Sequence, residues 1–90
     1  MALLTETRIR ERLGRLPGWE RRGNEICRTW SFADFESSMA FVNRVAALAQ
    51  AADHHPDIDI RYSKVTLALS THDAGGLTAR DFALAESIGS

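Results

Sequence analysis

The chain has 90 residues, 44% of them hydrophobic and 26% charged, which is sufficient for one small globular domain spanning residues 1–90. The formal net charge of −1 gives no electrostatic reason to expect direct nucleic-acid binding. The single Cys27 excludes an intramolecular disulfide, and no apolar run approaches the roughly 20 residues of a membrane span. We therefore expect a cytoplasmic protein that does not act at a membrane.

The first third of the chain predicts a helix and then a β-hairpin. Thr5 is a suitable helix N-cap, and apolar side chains follow at helical spacing, so a helix is expected over residues 5–14. Gly23-Asn24 is a typical hairpin dipeptide. Apolar and polar side chains alternate after it, which predicts two antiparallel strands within residues 19–32, with one face buried.

The middle of the chain predicts one long amphipathic helix over about residues 34–53. Asp34 is its expected N-cap, with Ser31 as a rival cap, and Pro56 prevents the helix from continuing. The apolar stripe expected to cover the sheet consists of Phe35, Met39, Val42, Ala46 and Ala49, widened by Phe41, Val45, Leu48 and Ala52. Four large aromatic side chains are interpreted as core residues, namely Trp19, Phe32, Phe35 and Phe41.

Two more strands are predicted in the second half of the chain. Apolar and charged residues alternate over residues 58–62, and a second alternating run extends over residues 65–72. Ser63-Lys64 is interpreted as the tight turn between them, which would pair about residue 62 with 65 and residue 58 with 69. His72 would then end the fourth strand and lie near Pro56.

The last helix has a strong start signal. Thr78 is the expected N-cap, Asp81 occupies the third helical position of a capping box, and Leu77 and Phe82 are placed as a hydrophobic staple. The complete order is α-β-β-α-β-β-α, which predicts an α+β fold: a four-stranded antiparallel sheet with helices packed on one face. Unprotected sheet edges and a modest core favour a homodimer or homotetramer.

The histidines of the chain, His54, His55 and His72, are the candidate catalytic groups. All three lie at predicted ends of elements, and the second hairpin would bring them together. Imidazole has an unperturbed pKa near about 6.5, so three imidazoles at one place can form an acid–base site at working pH. Asp53 and Asp57 flank the adjacent pair and are candidates for fixing tautomers. Positions at element ends also predict little burial for the three rings.

Other interpretations of these residues remain open. A surface histidine is more often inert than catalytic, and the capping box already explains Asp81 structurally. A metal site is not expected, because neither His-x-x-x-His nor Cys-x-x-Cys occurs and adjacent histidines chelate one ion less naturally. Nucleophilic catalysis has little support, because Cys27 lies within a predicted strand and no serine has a nucleophile-elbow context.

One spacing in the chain resembles the signature of the pterin-4a-carbinolamine dehydratases. It runs His54-His55-Pro56, five residues, Tyr62, nine residues, His72, eight residues, Asp81. The resemblance extends from about residue 13 to 88 and includes the segments Trp30-Ser31-Phe32, Tyr62-Ser63-Lys64-Val65, Ser70-Thr71-His72 and Gly76-Leu77-Thr78. One position departs from it: Gln50 stands four residues before the histidine pair, where that family usually has an acidic residue.

The resemblance implies a reaction and a role for each site residue. The reaction is dehydration of 4a-hydroxytetrahydropterin to quinonoid dihydropterin, a step in recycling tetrahydrobiopterin, and it uses neither a metal nor a cofactor. His54 and His72 would form the acid–base pair, His55 would mainly hold the substrate, and Asp81 would support the site. The residues implied to contact the pterin are Gln50, Asp53, Pro56, Thr71, Asp73 and Ala74. The resemblance also implies oligomers in which the sheet continues across subunits.

A second class of function stays open at this point. Relatives of this fold include a coactivator that stabilises dimers of a homeodomain transcription factor, and assembly chaperones for a carbon-fixing enzyme. This chain could likewise be a non-enzymatic interaction module with a protein partner that the sequence does not identify. Retention of the three histidines favours the enzyme, because an assembly chaperone has no need of them. A metal-binding domain is the third alternative.

Overall fold

The secondary structure of the chain follows the order predicted from its sequence. The computed structural model describes residues 2–89. Its elements are α1 (Glu6–Leu13), β1 (Glu20–Arg22), β2 (Glu25–Ser31), α2 (Phe35–Ala52), β3 (Asp57–Arg61), β4 (Lys64–Leu69) and α3 (Ala79–Ile88), with a 3₁₀ turn, His72–Ala74, between β4 and α3. The predicted α+β fold and its element order are confirmed. None of the helices within residues 2–89 is long and apolar enough to cross a membrane.

The four strands form one antiparallel sheet in the order β1-β2-β4-β3. Side chains on one face of the central strands, including Ile26, Leu67 and Leu69, are completely buried in the core that the helices cover. The opposite face is polar, and there the hydroxyls of Thr29 and Thr66 lie 2.8 Å apart across β2 and β4. The sheet therefore has one covered face and one open face, and its edges are β1 and β3.

The turn between β3 and β4 lies one residue earlier than predicted. Ile58 pairs with Leu67 and Arg61 with Lys64, so the connecting residues are Tyr62 and Ser63. The expected pairing of residue 58 with 69 is wrong by two residues. Tyr62 occupies the left-handed region at φ 52°, which is uncommon for an aromatic residue, and no sequence rule favours it there. A shift of two residues leaves every side chain on its predicted face, because the side-chain period of a strand is two.

The buried face of α2 is rotated from the predicted stripe. Its buried residues are Ser38, Phe41, Val45 and Ala49, whereas Phe35 is 55% exposed and Ala46 is exposed. Asp34 is the N-cap as predicted, and its carboxylate accepts the Ser37 N–H at 2.8 Å. The apolar arc of α2 is wider than the surface it meets, so only part of it is covered. The expectation that Phe35 belongs to the core is therefore wrong.

Candidate active site

The C-terminal end of α2 sets the direction of His54 and His55. Asp53 adopts the left-handed conformation at φ 50°, its N–H donates to the carbonyl of Gln50, and the His54 N–H donates to the carbonyl of Ala49 at 3.1 Å. These two bonds form a Schellman ending, in which aspartate takes the position usually held by glycine or asparagine. The chain thus leaves α2 sharply, and both imidazoles follow directly after the turn.

Arg80 holds this turn from the start of α3. Its Nη2 donates to the carbonyl oxygen of Ala52 at 3.2 Å and to that of Asp53 at 2.6 Å. Carbonyl oxygens at a helix C-terminus lack intrahelical partners and carry partial negative charge, so a guanidinium there is favourable on both counts. Arg80 was not predicted as a site residue. A signal existed, because a cation in the first turn of a helix opposes the helix dipole and indicates a partner elsewhere.

His54 and Asp81 form a buried pair. The His54 Nε2 lies 2.6 Å from Asp81 Oδ1, and the two side chains are 8% and 0% exposed. This contradicts the expectation of little burial for His54. It also replaces the expectation that Asp53 or Asp57 fixes its tautomer: Asp53 ends α2, and Asp57 begins β3.

A closed network of donors orients the Asp81 carboxylate. Its Oδ2 accepts the Thr78 N–H at 2.9 Å and the Thr71 hydroxyl at 2.9 Å. Thr71 and Thr78 also place their hydroxyl oxygens 2.8 Å apart. Because the one hydroxyl hydrogen of Thr71 goes to Asp81, Thr78 must donate to Thr71. If the Asp81 carboxylate is ionised, it only accepts hydrogen bonds, so His54 Nε2 donates to it and a neutral ring carries its lone pair on Nδ1.

The other two histidines are nearer to solvent. His55 places its Nε2 3.0 Å from Oε1 of Gln50, one helical turn earlier on α2. His72 does not end a strand, because β4 ends at Leu69 and Thr71 forms only an isolated bridge with Gly76. His72 instead begins the 3₁₀ turn His72–Ala74, in which its side chain is exposed.

The three histidines nevertheless line one cavity of about 230 Å³, here called the histidine cavity. Its other lining residues are Asp53, Ser70, Thr71, Asp73 and Arg80. Of the residues implied to contact the pterin, Gln50, Pro56 and Ala74 are not among the lining residues, although Gln50 reaches the cavity through His55. Asp81 lies behind His54 and acts through that ring.

The donor set of the cavity is suited to proton transfer. Within residues 2–89, no group of three or more His, Cys, Asp or Glu side chains is placed to hold a metal ion. The cavity combines a ring nitrogen oriented by a carboxylate with a solvent-accessible imidazole, His72, and a hydrogen-bonded imidazole, His55. Such an arrangement can donate one proton and accept another at neighbouring atoms of a small ligand.

Comparison with known proteins identifies the family. The family model described as pterin 4 alpha carbinolamine dehydratase matches residues 2–90. The chain belongs to this family. A protein of Roseiflexus castenholzii, provisionally named a pterin-4-alpha-carbinolamine dehydratase, is 63% identical over 87 residues, covering 97% of this chain and 94% of the relative. A protein of Acidobacterium capsulatum with the same provisional name is 61% identical over 88 residues, covering 98% and 96%.

Solved structures agree with this assignment. A transcriptional coactivator/pterin dehydratase from Brucella melitensis has a TM-score of 0.91 and 33% identity, covering 96% of this chain and 94% of that one. A pterin dehydratase-like protein described as a RuBisCO assembly factor in the alpha-carboxysome has a TM-score of 0.63 at 20% identity, covering 78% and 81%, and shares the fold. The names of the dehydratase family and of its members support a pterin carbinolamine dehydratase activity.

Proposed function

We propose that this chain dehydrates 4a-hydroxytetrahydropterin to quinonoid dihydropterin by acid–base catalysis on histidine. The observation that carries the proposal is the convergence of His54, His55 and His72 on one cavity, with one ring oriented by a buried carboxylate. Membership of the dehydratase family narrows the substrate to a pterin carbinolamine.

The reaction needs one acid, one base and no electron transfer. The C4a–O bond breaks, and the hydroxyl leaves as water after it receives a proton. The N5–H bond also breaks, and its electron pair forms the C4a=N5 double bond of the quinonoid product. One proton is given and one is taken, so the imidazoles of the cavity balance the reaction with no metal and no cofactor.

His54 is suited to be the base at N5. Its Nε2–H faces Asp81, which leaves Nδ1 as the lone-pair nitrogen. When Nδ1 takes the N5 proton, the ring becomes an imidazolium beside an ionised carboxylate, and this contact favours the charge that develops. Because Thr71 and Thr78 fix the carboxylate, the ring needs little reorganisation.

His72 is suited to be the acid, and His55 to hold the substrate. The exposed side chain of His72 can exchange protons with bulk water after each turnover, and the water that leaves C4a can depart on the same side. His55 is held by Gln50 and can hydrogen-bond the pterin ring. Asp53, Thr71 and Asp73 line the same cavity and are the proposed pterin contacts. The physiological role proposed is recycling of tetrahydrobiopterin.

The test measures formation of quinonoid dihydropterin from freshly generated 4a-carbinolamine. The wild-type protein should accelerate it, and His54→Ala and His72→Ala should each lose turnover, by about 10²–10⁴-fold for a general acid–base group. The double variant should lose more and approach the uncatalysed rate. Asp57→Asn, a charge change outside the cavity, is the control. Full activity in the double variant would end the catalytic proposal.

The melting temperature must accompany these rates. Because His54 is buried against Asp81, His54→Ala should cost about 1–3 kcal/mol of unfolding free energy, whereas exposed His72→Ala should stay within about 0.5 kcal/mol. Measuring stability in both variants distinguishes a loss of turnover caused by a missing catalytic group from one caused by unfolding.

A non-enzymatic interaction module is the second candidate, and one surface favours it. Ile58 and Ile60 are exposed on the edge strand β3, and the exposed Phe35 and Tyr62 line one cavity with Ile60. These four residues are here called the β3-edge patch. Exposed apolar side chains beside an unpaired strand are suited to contact another chain. Retrieval of a specific protein by the wild type but not by Ile60→Lys, together with no dehydratase activity, would favour this function.

A further inference from the structure

A second cavity adjoins the histidine cavity. It encloses about 320 Å³ between the β1–β2 hairpin and the 3₁₀ turn, and is called here the hairpin cavity. Its lining residues are Arg22, Asn24, Glu25, Ser70, His72 and Gly75. Ser70 and His72 line both cavities, so a ligand bound beside His72 can extend from one into the other.

The hairpin cavity offers hydrogen-bonding groups that the protein leaves unused. Within residues 2–89, the Arg22 guanidinium and the Asn24 side-chain amide form no hydrogen bond or ion pair with other groups. Oε1 of Glu25 accepts the Cys27 thiol at 3.6 Å, which leaves Oε2 free. Ser70 donates its hydroxyl hydrogen to the Asn24 carbonyl at 2.7 Å and keeps its lone pairs. Residues that carry both donors and acceptors therefore line the same space.

The charges of the hairpin cavity cancel. Arg22 and Glu25 are directly opposite each other in the β1–β2 ladder, so a positive and a negative group flank the cavity together. A phosphorylated chain would meet the Glu25 carboxylate, and a plain alkyl chain would leave the polar groups unpaired. A neutral chain with several hydroxyls matches the mixture, because each hydroxyl both donates and accepts.

The chemistry of the substrate directs a substituent towards this cavity. In a 4a-hydroxytetrahydropterin, C6 is bonded to N5 and lies two bonds from C4a. With His72 at the hydroxyl of C4a, C6 lies two bonds from the reacting carbon. Because His72 lines both cavities, a substituent on C6 is close enough to extend into the hairpin cavity. The histidine cavity, at about 230 Å³, is smaller than the roughly 300 Å³ at which ligand pockets usually begin, so a substituted pterin needs the neighbouring space.

We propose that the hairpin cavity binds the C6 substituent of the pterin and selects a neutral, hydroxylated alkyl chain. The inference rests on the proposed function and adds a specificity site to it. Arg22 and Asn24 donate to the hydroxyls of the chain, and Glu25 and Ser70 accept from them.

The test compares two substrates that share the reacting atoms. One is the 4a-carbinolamine of 6-methyltetrahydropterin, and the other carries a 6-(trihydroxypropyl) chain. Arg22→Ala should lower kcat/KM for the trihydroxypropyl substrate by roughly 3- to 10-fold, mainly through KM, and leave the methyl substrate within about twofold. The matched control is Arg21→Ala: Arg21 is the adjacent residue, pairs with Glu6 on the other side of the strand and lines neither cavity. Arg21→Ala should leave kcat/KM unchanged for both substrates.

Two results would overturn the inference, and they are distinguishable. An equal fall in kcat/KM for both substrates in Arg22→Ala, or no fall for either, would contradict the specificity site and leave the proposed dehydratase activity standing. Dehydration of neither substrate by the wild-type protein would remove the proposed function, and the specificity site with it.

Discussion

Asp81→Asn tests the proposed contribution of the buried carboxylate to catalysis. The change exchanges one oxygen for an NH₂ group and keeps the shape of the side chain. The carboxylate accepts from the Thr71 hydroxyl and the Thr78 N–H, and it also contacts His54 Nε2, which donates to it when the carboxylate is ionised. The Thr78 N–H is fixed by the backbone and cannot become an acceptor, whereas an imidazole can change tautomer. The amide oxygen should therefore remain towards Thr78, and the NH₂ group should face His54.

This orientation forces His54 into the tautomer that cannot act as the base. Nε2 must accept from the amide, so the ring hydrogen moves to Nδ1, the nitrogen proposed to take the N5 proton. Turnover should fall by about 10²–10⁴-fold, the usual contribution of a general base, with KM little changed. Three hydrogen bonds change from charge-assisted to neutral, so the free energy of unfolding should fall by about 1–3 kcal/mol, or roughly 4–8 °C of Tm for each kcal/mol.

The assay combines turnover, Tm and ¹⁵N NMR of the histidine rings. Protonated and unprotonated ring nitrogens have distinct ¹⁵N shifts, so the tautomer of His54 can be read in the wild type and in the variant. Asp57→Asn makes the same substitution outside the cavity and should change none of the three quantities. Wild-type turnover in a folded Asp81→Asn protein would refute the role of the carboxylate, and an unchanged His54 tautomer would refute the stated cause.

Three further predictions follow from other contacts. Gln50→Glu should alter KM more than kcat, because Gln50 positions His55 without transferring a proton; a change in kcat alone would contradict this. Light scattering should give two or four times the 10.0 kDa chain mass, and Ile60→Lys on the β3-edge patch should lower this measured mass. A monomeric wild-type protein would contradict the prediction that the β3 edge joins subunits. The hydrogen bond from the backbone N–H of Ser37 lowers the pKa of Asp34. The Asp34 cap therefore stabilises the folded protein at pH values above the ordinary pKa of 3.8, and this stabilisation is lost as the pH falls through the lowered pKa. The difference in Tm between the wild type and Asp34→Ala should disappear in that pH range.

Local sequence signals were sufficient for the order of elements. The Gly23-Asn24 turn, the Asp34 cap and the Thr78–Asp81 capping box each depend on residues within a few positions of one another, and the structure contains all three. The predicted register of the second hairpin was wrong because its turn places Tyr62 in a left-handed conformation, which is uncommon for an aromatic residue. The prediction of which side of α2 is buried was wrong because the apolar arc of the helix is wider than the sheet surface beneath it.

The convergence of the three histidines was predictable from the sequence, whereas Arg80 and the contacts within the candidate site were not. Sequence spacing placed His54, His55 and His72 together, and they line one cavity. The pairing of His54 with Asp81 joins side chains 27 positions apart and depends on how α3 packs against the end of α2. The capping box accounted for only one oxygen of Asp81, since Oδ2 meets Thr78 and Oδ1 meets the histidine.

Because one carboxylate contacts both Thr78 and His54, the orientation of the histidine depends on whether the first turn of α3 is closed. The first turn of α3 cannot open without withdrawing Asp81 from His54, because the same side chain holds both. Under the proposed mechanism, a molecule in which this turn has opened lacks an oriented His54 and is inactive. The amide hydrogen-exchange rate at Thr78 measures the fraction of such molecules. Any ligand that binds only the closed form must slow this exchange in proportion to its occupancy, even though Thr78 is buried and lies outside the lining of the cavity.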